Sequence, residues 1–258
     1  MDVEQSNTSH YDYRESHKGA AKAEQYNYGA HHGCYRSLVW AWEQQILEQI
    51  LKSYYSGRES HLLDFACGTG RIIGFMEEKV TTATGVDISE SMLQISKKRL
   101  LKSDLILGDL TRQNILGNRR FNMITAFRFF LNAQPSLRKE ALKAMAEYLT
   151  DDGLLVFNIH MQRCSIMHIV LCGWSFLRYG RNNERCLSIR QIRSMVDEAG
   201  FRITKIFHWG LLPATDNHMP VPPWLLVRFE NWASRYRLLR PLAQNIIIVC
   251  TKAGQSNP

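Results

Sequence analysis

Short apolar runs alternate with helical stretches along most of the chain. Seven runs are candidate strands: 61–65, 82–87, 104–108, 121–126, 153–160, 201–207 and 245–252. Helices are predicted between them over 71–78, 89–101, 136–149 and 188–199, where a Ser188–Gln191 capping pattern and Gly200 mark the ends of the last one. Such alternation is typical of a mainly parallel sheet with helices on both faces. We therefore predict an α/β fold.

Three regions do not follow this alternation. An amphipathic helix is predicted over 35–52, where Leu38, Trp42, Ile46 and Ile50 recur at near-helical spacing. The segments 162–186 and 212–242 are aromatic and arginine-rich, and the second is predicted to contain a helix from about Pro222. Their position after late strands is where α/β folds carry substrate-facing elaborations. We predict an N-terminal helical cap over 1–57 and a core over 58–258 with these two insertions.

Composition narrows the class of protein. The 258 residues are 45% hydrophobic and 22% charged, as in ordinary globular domains. The longest apolar stretch, 166–177, is shorter than the roughly 20 residues of a spanning helix, and the first ten residues do not resemble a signal peptide. A cytoplasmic protein without a transmembrane segment is expected. Unpaired cysteine spacing and the adjacent His31 and His32 give no metal-ligand pattern, so no metal is predicted.

The net charge of +8 is unevenly distributed. From His160 onward there are 13 basic and 5 acidic residues, whereas the preceding part contains 19 of each. Such an excess favours an anionic partner, which can be a small substrate, a nucleic acid or a membrane surface. An ordinary solvated surface explains it equally well.

The most informative motif is a glycine-rich turn between a predicted strand and a predicted helix. It runs Asp64-Phe-Ala-Cys-Gly68-Thr-Gly70-Arg71. Glycines let the backbone approach a ligand, and free amides at the helix start favour a negatively charged group. Gly74 comes one residue too late for a dinucleotide fingerprint, which disfavours a nicotinamide-dependent reductase. The stretch resembles motif I of the class I S-adenosylmethionine-dependent methyltransferases, (D/E)-x-G-x-G-x-G, with alanine at the first glycine.

Later motifs occur in the order that this resemblance implies. Asp87 ends the second strand, where the family has an acid that accepts hydrogen bonds from the ribose hydroxyls, and Asp109 follows the third, beside the adenine amine. Ile88 and Met92 would flank the adenine, and Tyr28 in the aromatic N-terminal segment would either cover the sulfonium or pack on the sheet edge. The implied fold is a Rossmann-like, seven-stranded, mainly parallel sheet with an antiparallel last strand. The implied residues binding S-adenosyl-L-methionine are Tyr28, Asp64, Ala66, Gly68, Thr69, Gly70, Arg71, Asp87, Ile88, Met92, Gly108, Asp109, Leu110, Ala126 and Phe127.

The methyl acceptor is less constrained by the sequence. After the fourth strand the chain reads Ala126-Phe-Arg-Phe-Phe-Leu-Asn132 and lacks the (N/D)-P-P-(Y/F) element of enzymes that methylate nucleic-acid amines, so no DNA partner is expected. Arg128 can clamp a carboxylate or phosphate, although a surface salt bridge is an equal alternative. The predicted substrate-binding residues are Arg128, Asn132, His208, Trp224 and Arg228.

His160 is the candidate catalytic residue. It follows the fifth strand, and a histidine there can remove a proton from a hydroxyl acceptor near neutral pH. A structural role is the alternative, and an amine acceptor needs only positioning. The leading hypothesis is methyl transfer to an O or N atom of a small molecule, such as a natural product, a sugar or an anionic biosynthetic intermediate. The alternatives are a cofactor-binding assembly partner without catalysis and an RNA methyltransferase. The arginine-rich helix near Pro222 is interpreted as a lid, a membrane-surface contact or a homodimer contact, and its position after a late strand favours the lid.

Overall fold

A computed structural model describes residues 13–16, 34–171 and 186–254 of the chain. Tyr28, His31, His32 and most of the 162–186 insertion lie outside these residues. The elements are α1 (Tyr13–Ser16), α2 (Cys34–Tyr54), β1 (His61–Phe65), α3 (Arg71–Met76), β2 (Thr82–Asp87), α4 (Glu90–Lys97), β3 (Asp104–Leu107), β4 (Phe121–Ala126), α5 (Pro135–Tyr148), β5 (Leu149–His160), α6 (Ile189–Glu198), β6 (Phe201–Trp209), α7 (Pro223–Ala233), a 3₁₀ turn (Arg240–Leu242) and β7 (Asn245–Lys252).

The seven strands form one sheet in the order β3-β2-β1-β4-β5-β7-β6. Strands β1 to β5 pair in parallel, whereas β7 is antiparallel to both of its neighbours. The predicted α/β fold with an antiparallel last strand is confirmed. Strand order reverses at β1, which lies between β2 and β4, and open α/β sheets bind ligands beyond the carboxyl ends of strands at such a point.

The core lies on both faces of the sheet. Leu62 pairs with Met123 and Leu63 with Ile124, and all four side chains are fully buried. Successive residues point to opposite faces, so one cluster contains Leu63 and Ile124 and the other contains Leu62 and Met123. This double burial explains why the parallel strands appear in the sequence as continuous apolar runs.

Helix α2 buries only part of the predicted apolar stripe: Ile46 and Ile50 face the core as expected. Its buried residues are Tyr35, Val39, Glu43, Ile46, Leu47 and Ile50. Leu38 and Trp42, expected in the buried stripe, are only partly buried. Glu43 also faces inward on this helix, where its carboxylate accepts hydrogen bonds from Arg71 and Asn158.

Helix α6 shows how local sequence sets element boundaries. The Ser188 side chain accepts a hydrogen bond from the Gln191 amide, and the Gln191 side chain accepts one from the Ser188 amide, as the capping pattern predicts. Gly200 follows the helix with a positive φ of 79°.

Across the described helices, including α7 and the long α2, none combines the length and hydropathy required to cross a membrane.

Candidate functional site

A cleft that is open to solvent lies at the carboxyl ends of β1 to β4. Most residues predicted to bind the cofactor line it. They are Asp64, Ala66, Gly68, Thr69, Arg71, Asp87, Ile88, Met92, Gly108, Asp109, Leu110 and Phe127. Ala126 is instead fully buried within β4. Gly70 is not part of the lining either, and a Cβ there would collide with the Ser96 hydroxyl, so this glycine lets the loop pack on α4.

The glycine turn and the end of β2 are joined by the Asp87 carboxylate. Its Oδ2 accepts a hydrogen bond from the Gly68 amide at 2.8 Å, and its Oδ1 accepts one from the Ser89 amide at 2.8 Å. Burial raises the pKa of Asp87, and the backbone donors oppose that rise. Each oxygen keeps a second lone pair for a ligand hydroxyl. Gly68 has a φ of 56° and no atom within 4 Å of a Cβ position, so a ligand can approach its backbone closely.

Asp64 lines the cleft and is almost completely buried. Its carboxylate accepts hydrogen bonds from the Thr125 hydroxyl at 2.7 Å and from the Ile73 amide at 3.2 Å. Burial raises its pKa to about 7, although these hydrogen bonds act in the opposite direction. The Asp64 side chain therefore joins the start of α3 to strand β4.

Asp109 is bound by an arginine that sequence reasoning missed. Arg14, on the short helix α1, donates from Nε to Asp109 Oδ2 at 2.8 Å and from Nη2 to Glu140 and to the Thr111 hydroxyl, each at 2.7 Å. Burial alone would raise the pKa of Asp109, but hydrogen bonds from Thr111 and the charge of Arg14 lower it overall. Tyr13 packs edge-on against Phe129 at 5.6 Å, so α1 closes one side of the cleft.

A buried polar network adjoins the cleft beside the glycine turn. Glu43 forms an ion pair with Arg71 at 2.6 Å and accepts a hydrogen bond from Asn158 Nδ2 at 2.7 Å. The Asn158 side-chain oxygen accepts the Arg128 amide at 2.6 Å, and the Arg71 guanidinium lies 4.4 Å from the centre of the Trp40 ring. The network fixes the side chain of Arg71 and the backbone of Arg128, both of which line the cleft. Glu43, Asn158 and Trp40 were not predicted as site residues.

His160 ends β5 close to this network but does not line the cleft. Within the described part of the chain, its buried Nδ1 has no hydrogen-bond partner. Burial, together with the charges of Arg128 and Arg71, lowers the pKa of His160 to about 3. The imidazole is therefore neutral at physiological pH and is a weak proton acceptor.

Of the predicted substrate residues, Arg128 lines the cleft and the other four do not. Asn132 donates from its side chain to the Arg128 carbonyl at 2.6 Å and so shapes the loop. His208 lies on β6 beside a separate small pocket, where burial and the charge of Arg240 lower its pKa to about 4. Trp224 and Arg228 are exposed on the outer side of α7.

Helix α7 is fixed to the body of the protein, which explains this placement. Its buried Glu230 accepts hydrogen bonds from the Gly210, Leu211 and Leu212 amides at 3.0, 2.9 and 2.9 Å. Leu226 packs in the same apolar cluster as Tyr35 of α2.

In the described ranges, 13–16, 34–171 and 186–254, no three histidine, cysteine or acidic side chains are placed to hold a metal ion.

Comparison with known proteins agrees with this geometry. Residues 39–206 match a family model described as a methyltransferase domain. A putative methyltransferase from Geobacillus is 30% identical over 125 residues, which are 46% of this chain and 50% of the relative. A demethylmenaquinone methyltransferase from Thermotoga maritima is 32% identical over 45% of this chain and 48% of its own length. An N,N-dimethyltransferase from Streptomyces fradiae, named for dTDP-3-amino-3,6-dideoxy-alpha-D-glucopyranose, is 32% identical over 40% of each chain. The chain thus spans about half the length of the curated relatives it matches.

Solved structures extend the likeness to most of the fold. A magnesium protoporphyrin IX methyltransferase from Synechocystis, with bound SAM, superposes with a TM-score of 0.59 at 10% identity, covering 96% of this chain and all of the other. A S-adenosylmethionine-dependent methyltransferase from Clostridium acetobutylicum gives a TM-score of 0.57 at 17% identity over 89% and 99% of the two chains. At these identities, the structures establish the shared fold.

Proposed function

The chain belongs to the S-adenosylmethionine-dependent methyltransferase family, and on that premise we propose that it transfers a methyl group to a small, anionic acceptor. When bound, S-adenosyl-L-methionine supplies an electrophilic methyl group on a positively charged sulfur. The two acceptors in the relatives' names, demethylmenaquinone and a dTDP-linked amino sugar, are small molecules, which supports an acceptor of that size.

The observation that carries the proposal is the arrangement of acids around the cleft. Asp87 has both carboxylate oxygens fixed by backbone amides, so their remaining lone pairs are oriented for the two ribose hydroxyls. Gly68 leaves an open approach for the ligand beside them. Ile88 and Met92 line the same cleft and supply apolar surface for the adenine. Asp109 is assigned to the adenine amine. Its carboxylate would then accept hydrogen bonds from both Arg14 and the ligand.

The acceptor is proposed to be anionic because three arginines, Arg14, Arg71 and Arg128, line the cleft. Arg71 is paired with Glu43, and Arg14 with Asp109 and Glu140, so Arg128 is the arginine proposed to meet the acceptor. A carboxylate, phosphate or ionised hydroxyl on the acceptor would be stabilised by the positive charge of the Arg128 guanidinium. A neutral His160 with a low pKa contributes little as a base. The residues around the cleft therefore act mainly by orienting the acceptor and the methyl donor along one line.

The test of cofactor binding is calorimetry with S-adenosylhomocysteine. Asp87→Ala should weaken binding by about 10- to 150-fold, corresponding to the loss of charge-assisted hydrogen bonds of about 1.5–3 kcal/mol. Asp104→Ala is the matched control, since Asp104 starts the neighbouring strand β3 and its side chain is exposed. Equal affinities of the two variants would contradict the assignment of Asp87 to the ribose.

Turnover separates an enzyme from a cofactor-binding assembly partner. The protein is incubated with S-adenosylmethionine and with fractions of an anionic small-molecule extract, and release of S-adenosylhomocysteine is followed by mass spectrometry. Release of S-adenosylhomocysteine that requires one particular fraction, and that is lost in the Asp87→Ala variant, supports a catalytic role. Tight cofactor binding without release in any fraction would favour the non-catalytic alternative.

A further inference from the structure

The outer side of α7 and the turn after it form an exposed aromatic surface, defined here as Trp224, Leu225, Trp232, Tyr236 and Leu238. Trp224 is 63% exposed, Trp232 and Tyr236 are each 48% exposed, and Leu238 is 91% exposed. The rings of Trp232 and Tyr236 lie 4.8 Å apart, and those of Phe229 and Trp232 lie 5.7 Å apart. Trp224 lies two helical turns before Trp232 on the same side of α7. Contiguous exposed apolar side chains on a folded protein indicate an interaction site.

Positive charge is interleaved with this aromatic surface. Arg228, Arg235 and Arg237 are all exposed, and no carboxylate of the described residues forms an ion pair with any of them. The acidic residue of α7, Glu230, is buried and accepts three backbone hydrogen bonds, so it does not offset the arginines at the surface. The surface is therefore both apolar and cationic.

The aromatic surface is rigidly presented. The inward residues Leu226 and Ala233 are buried, and Leu226 packs with Val39 and Trp209. With Glu230 bonded to the loop after β6, the helix is attached along its inner side. Its outward residues do not line the cleft.

The first insertion begins beside the end of the second. The Gln162 side chain donates to the Pro241 carbonyl at 2.5 Å, just after the aromatic surface. A few residues further along the chain, Ile169, Val170 and Leu171 are also exposed on a helical stretch. Both insertions thus carry exposed apolar side chains and start from the same edge of the sheet.

We propose that the aromatic surface docks on an anionic lipid bilayer, with Trp224 and Trp232 in the interfacial layer and the arginines among the lipid headgroups. Tryptophan and tyrosine have apolar rings with a polar tip and favour the membrane–water interface. Arginines beside them are attracted to anionic headgroups. This role goes beyond the methyl transfer proposed above and does not depend on it.

The charge pattern distinguishes this partner from a second copy of the chain. A two-fold symmetric contact would place the same surface on both sides, so Arg228, Arg235 and Arg237 would face their own counterparts without an exposed acid between them. Like charges opposed in this way disfavour association. An anionic bilayer supplies the missing negative charge over the whole surface.

The test uses sedimentation of the full chain with vesicles. Binding is expected with phosphatidylcholine vesicles that contain phosphatidylglycerol, and much less with phosphatidylcholine alone. Arg228→Gln with Arg235→Gln should lower the partition coefficient about 30-fold, at about fivefold per arginine. The matched control replaces Arg190 and Arg193, two exposed arginines of α6, by glutamine and should bind as the unmodified protein does.

A second variant tests the aromatic part of the surface. Trp224→Ala with Trp232→Ala should abolish vesicle binding while leaving the thermal midpoint unchanged, because both side chains are exposed. Equal binding to neutral and anionic vesicles would overturn the proposal. So would an equal loss of vesicle binding in the Arg228/Arg235 variant and in the Arg190/Arg193 control. So would an absence of vesicle binding together with a dimer that the tryptophan substitutions dissociate in sedimentation velocity.

Discussion

Backbone strain at single residues is concentrated at the edge of the sheet that bears the cleft. Among the described residues other than glycine, those with positive φ are Ala66 at 55°, Arg128 at 59° and Met161 at 66°. They follow the carboxyl ends of β1, β4 and β5 in turn. This conformation costs roughly 1–2 kcal/mol for a residue with a Cβ, and it persists only where surrounding contacts enforce it. The fold therefore holds these chain reversals under strain next to the proposed ligand.

Ala66→Gly should stabilise the protein by about 1 kcal/mol, because glycine adopts positive φ without steric cost. The measurement is the free energy of unfolding in urea. Ala83→Gly is the control: Ala83 lies within β2, where glycine should destabilise by about 0.5–1 kcal/mol. Destabilisation of similar size in both variants would show that Ala66 is not strained.

His160 should make the stability depend on pH in a defined direction. Its pKa is lowered to about 3 in the folded protein, against about 6.5 in the unfolded chain. Between these two pH values the unfolded chain binds a proton that the folded protein does not. The free energy of unfolding therefore keeps its full value above about pH 6.5 and falls as the pH drops toward about 3. Comparing thermal midpoints of the unmodified protein and His160→Asn over about pH 4–7 should give a shallower slope for the variant. Parallel curves would mean that His160 is readily protonated in the folded state.

The acids of the site could be predicted from the sequence, but their partners could not. Asp64 is the last residue but one of β1, Asp87 ends β2 and Asp109 follows β3, so their order along the chain identifies them. The contact between Arg71 and Glu43 spans 28 residues and that between Arg14 and Asp109 spans 95, and no local pattern indicates either. Glu43 also occupies a buried helix position, where sequence reasoning expects an apolar side chain.

Strand positions were the most predictable elements, whereas helix lengths were less so. The ranges of β1, β2, β4 and β7 agree with the apolar runs because those strands are almost entirely buried. Helix α3 was predicted to continue to residue 78 but ends at Met76. The side chain of the next residue, Glu77, accepts hydrogen bonds from the Leu101, Lys102 and Ser103 amides, which are remote in sequence and have no local signal.

The attachment of α7 can be tested by removing its buried carboxylate. Glu230→Ala should lower the free energy of unfolding by at least about 3 kcal/mol, since three buried amides lose their acceptor at about 1–3 kcal/mol each. Urea unfolding measures this change. Glu230→Gln keeps one acceptor oxygen and should lose less, and the exposed Glu198→Ala on α6 should change the free energy of unfolding much less than Glu230→Ala does. Similar losses for Glu230→Ala and Glu198→Ala would contradict the role assigned to Glu230.

For the molecule as a whole, the sequence indicated the arrangement of the sheet better than the arrangement of its insertions. Alternating strands and helices predict the layers, and the family resemblance adds the antiparallel last strand. The location of α7 depends instead on Tyr35, Val39 and Trp209, which are remote from it in sequence. A helix inserted after a late strand was therefore interpreted as covering the cleft, whereas it packs on α2 and faces outward.

The place of β7 in the sheet has a consequence for synthesis of the protein. It lies between β5 and β6 and pairs with both, yet the ribosome makes it after them. Until Asn245–Lys252 emerge, the nascent chain carries an open edge on β5, and β6 has no neighbour to join. Unpaired apolar edges of this kind attract other chains. Chaperone protection should therefore matter most during the interval in which the second insertion is being translated.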